Sequence, residues 1–170
     1  CQKSIGSLPS SSAASLSSLG SGNGTTSAIS DVNTKTRPLN SNSTLANCTS
    51  ESYNEFDFWL GDWQVTSKVD DIVRFNTISK VNNGCTILEE YTSPSGYVGK
   101  SLNIYDQQTK QWHQSWTDSS GLLLQLQGSI KNDSMVMEGE TYRKDHQIIT
   151  NKISWTPNKD GSVRQHWQIS

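Results

Sequence analysis

No stretch of this 170-residue chain approaches the ~18 consecutive apolar residues that would cross a bilayer as a helix. Any membrane attachment must therefore come from a lipid rather than from the polypeptide. Charge is scarce as well: 18% of residues are charged and the net charge is −2. That balance lacks the basic excess that nucleic acid demands, so no nucleic-acid partner is expected, and it lacks a long acidic run. Cysteine is limited to three residues. Aromatic side chains are missing altogether from residues 1–52, although the chain holds six Trp, five Tyr and three Phe. A segment without them cannot bury enough apolar surface to offset its ordering entropy.

What that segment does contain is Ser, Gly, Asn and Thr, as in Ser10-Ser11-Ser12 and Ser17-Ser18-Leu19-Gly20-Ser21-Gly22-Asn23-Gly24. It reads as a flexible tether over residues 1–52, with a folded domain over residues 53–170. About 45 such residues span roughly 35–40 Å on average. Asn-x-Ser/Thr triplets at Asn23, Asn42, Asn47 and Asn132 are compositional in a bacterium and glycan acceptors in a eukaryote. Cys1 followed by this segment resembles the mature start of a bacterial lipoprotein, whose signal peptide is removed and whose first Cys carries the lipid. The resemblance implies a membrane partner held through lipidated Cys1 and a place in the cell envelope. Gln2 is not the Asp that resembles an inner-membrane retention signal, so the implied site is the outer membrane, facing the periplasm or the cell surface. With Cys1 set aside, Cys48 and Cys85 remain, either joined in an oxidising compartment or as two thiols.

From Tyr53 onward short alternating runs are broken by turn signals about every ten residues, which is a β pattern. The runs are Asp62–Lys68, Arg74–Val81, Cys85–Thr92, Tyr97–Tyr105, Gln111–Thr117, Leu122–Ile130, Met135–Arg143, Gln147–Thr156 and Val163–Ile169. The breaks include Asn82-Asn83-Gly84, Ser93-Pro94-Ser95-Gly96, Asp118-Ser119-Ser120-Gly121 and Asp160-Gly161. Helical periodicity is absent apart from a short turn at Glu55–Leu60. Hairpin-linked strands with one apolar face form an antiparallel meander. A flat sheet that long would expose its edges and its oily face, which predicts closure into an up-and-down barrel, with a two-sheet sandwich as the alternative.

Phe56-Asp57-Phe58-Trp59-Leu60-Gly61-Asp62-Trp63 is the most specific string. It resembles the opening signature of a bacterial family of small lipocalin-like barrels to which no activity is assigned. The likeness continues through Gly84-Cys85, Glu89-Glu90-Tyr91, Gly99–Asp106, Trp112–Asp118, Trp155-Thr156-Pro157 and Asp160–Gln165 with Trp167. It implies an all-β, lipocalin-like barrel of about 9–10 strands and transfers little chemistry. The family pattern usually continues past Ser170 with another Asp/Gly turn and a Trp-bearing strand, which leaves barrel closure open. Gly61-x-Trp63 also resembles the first-strand motif of lipocalins, where the Trp plugs one barrel end under a basic residue from a late strand. Arg164 is the residue that the resemblance puts over Trp63.

Candidate chemistry is thin. His113, His146 and His166 have no His-x-His or Cys-x-x-Cys neighbour, and strand alternation turns His113 and His166 away from the adjacent Trp, toward solvent. No metal and no cofactor is expected. Glu89-Glu90 and Glu138-x-Glu140 read as solvated outer-face carboxylates; acid–base work with a histidine would require one of them to be buried. Ser101, Ser115 and Ser129 lack a nucleophile-elbow context, and no phosphate loop is present.

The aromatic set carries more. Trp112, Gln114 and Trp116 share one strand face, Val163, Gln165, Trp167 and Ile169 share another, and Leu122, Leu124 and Leu126 add an apolar stripe. Apolar walls with sparse amides are how a small-molecule cavity is lined. The expected interior is Trp63, Trp112, Gln114, Trp116, Gln165 and Trp167, around a small, partly apolar ligand. An enzyme using barrel carboxylates with histidine, and a structural domain with a solid core, are the alternatives.

Overall fold

The computed structural model describes residues 48–170. Cys1 and the expected tether up to residue 47 lie outside the described residues. Nine strands follow in order: β1 Gly61–Val65, β2 Arg74–Val81, β3 Thr86–Thr92, β4 Val98–Asp106, β5 Gln111–Asp118, β6 Leu123–Lys131, β7 Ser134–Tyr142, β8 Ile148–Pro157 and β9 Val163–Ile169. Each pairs antiparallel with the next in a single sheet of order β1 to β9. The alternation that identifies the strands also makes the sheet two-faced, so it coils with its apolar face inward. The result is a curled half-barrel. Closure is the point of difference from expectation: β1 and β9 are the two ends of the sheet rather than neighbours.

The concave side is filled in layers. At the end where β1 begins, two 3-10 turns, Glu51–Asn54 and Asp57–Trp59, insert an aromatic plug. The expected short turn at Glu55–Leu60 is the second of these. Phe56 stacks on Trp59 at 4.8 Å and meets Trp112 and Trp155 edge-on at 5.7 and 5.3 Å. Tyr53 packs edge-on against Tyr105. Two polar ties hold the plug. Lys80 Nζ reaches both carboxylate oxygens of Asp57 at 2.8 and 2.9 Å and donates to Asn54 Oδ1 at 2.6 Å. The Trp112 indole N–H donates to Glu55 Oε2 at 3.3 Å.

Cys48 and Cys85 form a disulfide with Cα atoms 5.1 Å apart. It fastens the segment leading into the plug to the start of β3. On the concave face of β6–β8, Leu124, Leu126, Met135, Met137 and Ile153 are buried.

Candidate functional site

Four neighbouring strands give the concave wall an unexpected character. Asn76 on β2, Glu89 on β3, Ser101 and Asn103 on β4 and Gln114 on β5 are all buried on the same face. Register brings them together: Glu89 lies opposite Ile78 and Ser101, and Asn103 lies opposite Gln114. They form one directed chain. Gln114 Nε2 donates to Asn103 Oδ1 at 2.7 Å, and Asn103 Nδ2 donates to Ser101 Oγ at 2.9 Å. Ser101 Oγ, already an acceptor, donates to Glu89 Oε2 at 2.7 Å. From the other side Asn76 Nδ2 donates to Glu89 Oε1 at 2.8 Å. Each link of the chain donates toward Glu89, while Asn103 Nδ2 also donates to Ile87 O at 3.1 Å. The Oδ1 of Asn76, by contrast, is buried without a hydrogen-bond partner among the described residues.

Above this belt lies an aromatic layer. Tyr91 meets Tyr97 at 6.0 Å and Trp116 at 6.1 Å, both edge-on. Asp118 Oδ2 accepts from the Tyr97 hydroxyl at 2.6 Å and from the Trp116 indole at 3.1 Å. Gly99 is what lets Trp116 lie flat on β4, because a Cβ there would sit 2.2 Å from the indole ring. Burial pushes the Asp118 carboxyl up, but bonds from Ser120, Tyr97 and Trp116 together outweigh it and hold the group below the usual carboxylate range. Burial, then the bond to Asp118, pushes the Tyr97 hydroxyl well above its ordinary value. Tyr91 is raised by burial, with Arg74 pulling the other way and Glu89 adding to the rise. Arg74 itself grips Asp70 through both guanidinium nitrogens at 2.8 Å.

The rim beyond this layer is greasy. Val69, Ile72, Val73, Phe75, Val98, Leu123, Tyr142, Ile148 and Ile169 are exposed large apolar residues, all on the loops and strand ends at the side away from the plug; on the strands, Phe75, Val98, Leu123, Tyr142 and Ile148 have the outward parity and Ile169 the inward one.

The expected interior set divides. Trp112, Gln114, Trp116 and Gln165 are buried on the concave face. Trp63 and Trp167 are half-buried against the core. Trp63 donates its indole N–H to Trp59 O at 2.8 Å, and Trp167 donates to Asn151 Oδ1 at 3.1 Å. Arg164 requires a correction: it is exposed, because strand alternation puts it on the face opposite Gln165, so it does not cover Trp63. Gly61 is required by its backbone rather than by crowding. A Cβ there would meet Trp63 at an ordinary 3.8 Å, and it is the φ of +131° that requires glycine.

The carboxylates also need correcting. Glu89 is only 1% exposed and is not part of a solvated outer face. The parity of Ile87, Glu89 and Tyr91, which share one strand face, was the available signal. Glu138 and Glu140 are exposed, and Glu138 pairs with Lys152 at 3.1 Å. The burial that acid–base chemistry would have required of them is absent. His146 and His166 are exposed. His113 is half-buried, with Nε2 3.1 Å from Thr109 Oγ1 and 3.9 Å from Asp106. Among the described residues no cluster of three or more His, Cys, Asp or Glu is placed to hold a metal ion. An open cleft of about 410 Å³ lies between Tyr53 and the β4–β5 turn, lined by Ile104, Tyr105, Asp106, Gln107 and Gln108.

No protein-family model matches the chain, and no curated protein matches it. The class that fold and site define is therefore an open, curled β-meander with a plugged end, a buried polar belt and an apolar rim.

Proposed function

We propose that the concave face binds a small, partly apolar molecule that enters past the apolar rim. One observation carries this reading: five connected polar side chains lie buried in one wall of the interior, with an acceptor atom, Asn76 Oδ1, left without a partner among the described residues. An unmet buried polar atom costs about 1–3 kcal/mol, and a solid core has no reason to retain one. Apolar walls with a few convergent polar groups are the usual make-up of a ligand pocket. The aromatic plug supports the same reading by closing one end, which leaves the rim as the route in. A lipid on Cys1, which metabolic labelling with a radioactive fatty acid tests, would hold this binding domain at an envelope membrane.

Tryptophan fluorescence is the direct test, since Trp112 and Trp116 flank the belt. Titration with fatty acids, haem and aromatic metabolites should give a saturable change for at least one class. Silence across the panel would leave the structural, solid-core reading, which the tight packing of Phe56, Trp59, Trp112 and Trp155 favours.

A further inference from the structure

The belt is asymmetric in what it leaves unmet. Both N–H groups of the Asn103 amide are used, one on Ser101 Oγ and one on Ile87 O. Ser101 passes its proton to Glu89, and Asn76 spends an N–H there too. The unmet capacity at the end of the chain, Asn76 Oδ1, is an acceptor. A ligand group that itself only accepts would bring lone pairs to lone pairs beside Glu89. A donor group completes the network instead.

The surroundings narrow the donor further. Tyr91 stands two residues from Glu89 on the same strand face and opposite Asn76 in the register. With Tyr97 and Trp116 it makes a three-ring wall whose interplanar angles are 76° and 69°. Ring faces attract cations. Arg74, the basic side chain on this part of the wall, is engaged by Asp70 in a two-nitrogen pair.

We infer that the head group of the bound molecule is a hydrogen-bond donor, a protonated amine above all, seated against Asn76 Oδ1 and Glu89 under the Tyr91–Tyr97–Trp116 wall. This deepens, and rests on, the interior binding proposed above. The ligand class is a primary or secondary amine with an aliphatic or aromatic body that lies toward the apolar rim.

Three probes with one tail separate head from body: decylamine, decanol and decanoate, titrated calorimetrically into the full chain at pH 7. Decylamine should bind at least tenfold tighter than decanol, with decanoate weakest. Glu89→Gln should bring decylamine down to the decanol level while decanol stays within twofold. Asn76→Leu should do the same, and it decides the matter should Glu89→Gln fail to fold. The ranking on the unmodified chain needs no variant at all. Equal binding of the three probes would overturn the head-group inference and leave interior binding standing. No saturable binding by any of them would overturn both. A preference for decanoate would overturn the inference alone.

Discussion

Asp118 shows how a single side chain ties the upper wall together. It accepts from Tyr97, Trp116 and Ser120, and its pKa is depressed because those bonds outweigh its burial. A depressed carboxyl contributes stability above its unfolded value of about 4, and that contribution is lost as pH falls through the folded value. The urea midpoint should therefore drop on acidification below about pH 4, and Asp118→Asn should flatten that drop. Tyr97 works at the other end of the scale: its raised value means that its share of stability is intact below about pH 10 and is lost as pH rises beyond it. Ser101 is the hinge of the polar belt, receiving from Asn103 and giving to Glu89. Replacing it with Ala strands both partners, which should cost about 1–3 kcal/mol by urea denaturation. At this scale legibility was uneven. Trp112, Gln114 and Trp116 were readable because Trp announces core. Glu89 was not, because two adjacent glutamates look solvated; only the Ile87, Glu89, Tyr91 parity placed it inward. Arg164 was misplaced by family resemblance where the parity with Gln165 had the right answer.

At the level of elements the strands were the most legible feature. Arg74–Val81 and Val163–Ile169 coincide with the alternating runs because turn residues bound them sharply. Asn82, Asn83, Asn132 and Asp133 all take positive φ, which Asn and Asp tolerate better than other side-chain-bearing residues. The plug was harder, since a hexapeptide turn has no period to read; its existence was visible at Glu55–Leu60 but its docking onto Trp112 and Trp155 was not. Its attachment predicts its energetics. The disulfide joins residues 37 apart, and closing such a loop in the unfolded chain is worth about 4 kcal/mol on the chain-entropy model. A Cys48→Ser, Cys85→Ser double variant should lose stability of that order in urea, and reduction of the native protein should add two protons by mass. Phe56→Ala, which empties the middle of the stack, should cost about 3–5 kcal/mol.

On the scale of the whole molecule, the departure from expectation is the open sheet. Closure was inferred from the cost of exposed edges, a sound general argument that the register answers differently. Among the described residues each inner strand has two partners, whereas β1 and β9 have one each. The edges are partly managed: β1 is only five residues long. β9 is extended by the reciprocal bonds between Thr150 and Ser170 and, among the described residues, pairs on one side. Amide hydrogen exchange reads this arrangement directly, because protection follows the number of partners and the depth of burial. Protection should peak in β4–β6, whose strands are paired on both sides over the buried belt and leucine stripe. It should fall toward both ends, with alternate amides of β1 and β9 exchanging at rates close to those of exposed loops. The gradient should be symmetrical about the centre of the sheet rather than about the plug, since the plug shields side chains while the ladder shields amides. Protection in β1 and β9 equal to that in β5 would mean that the two ends are paired in solution and that the half-barrel is closed.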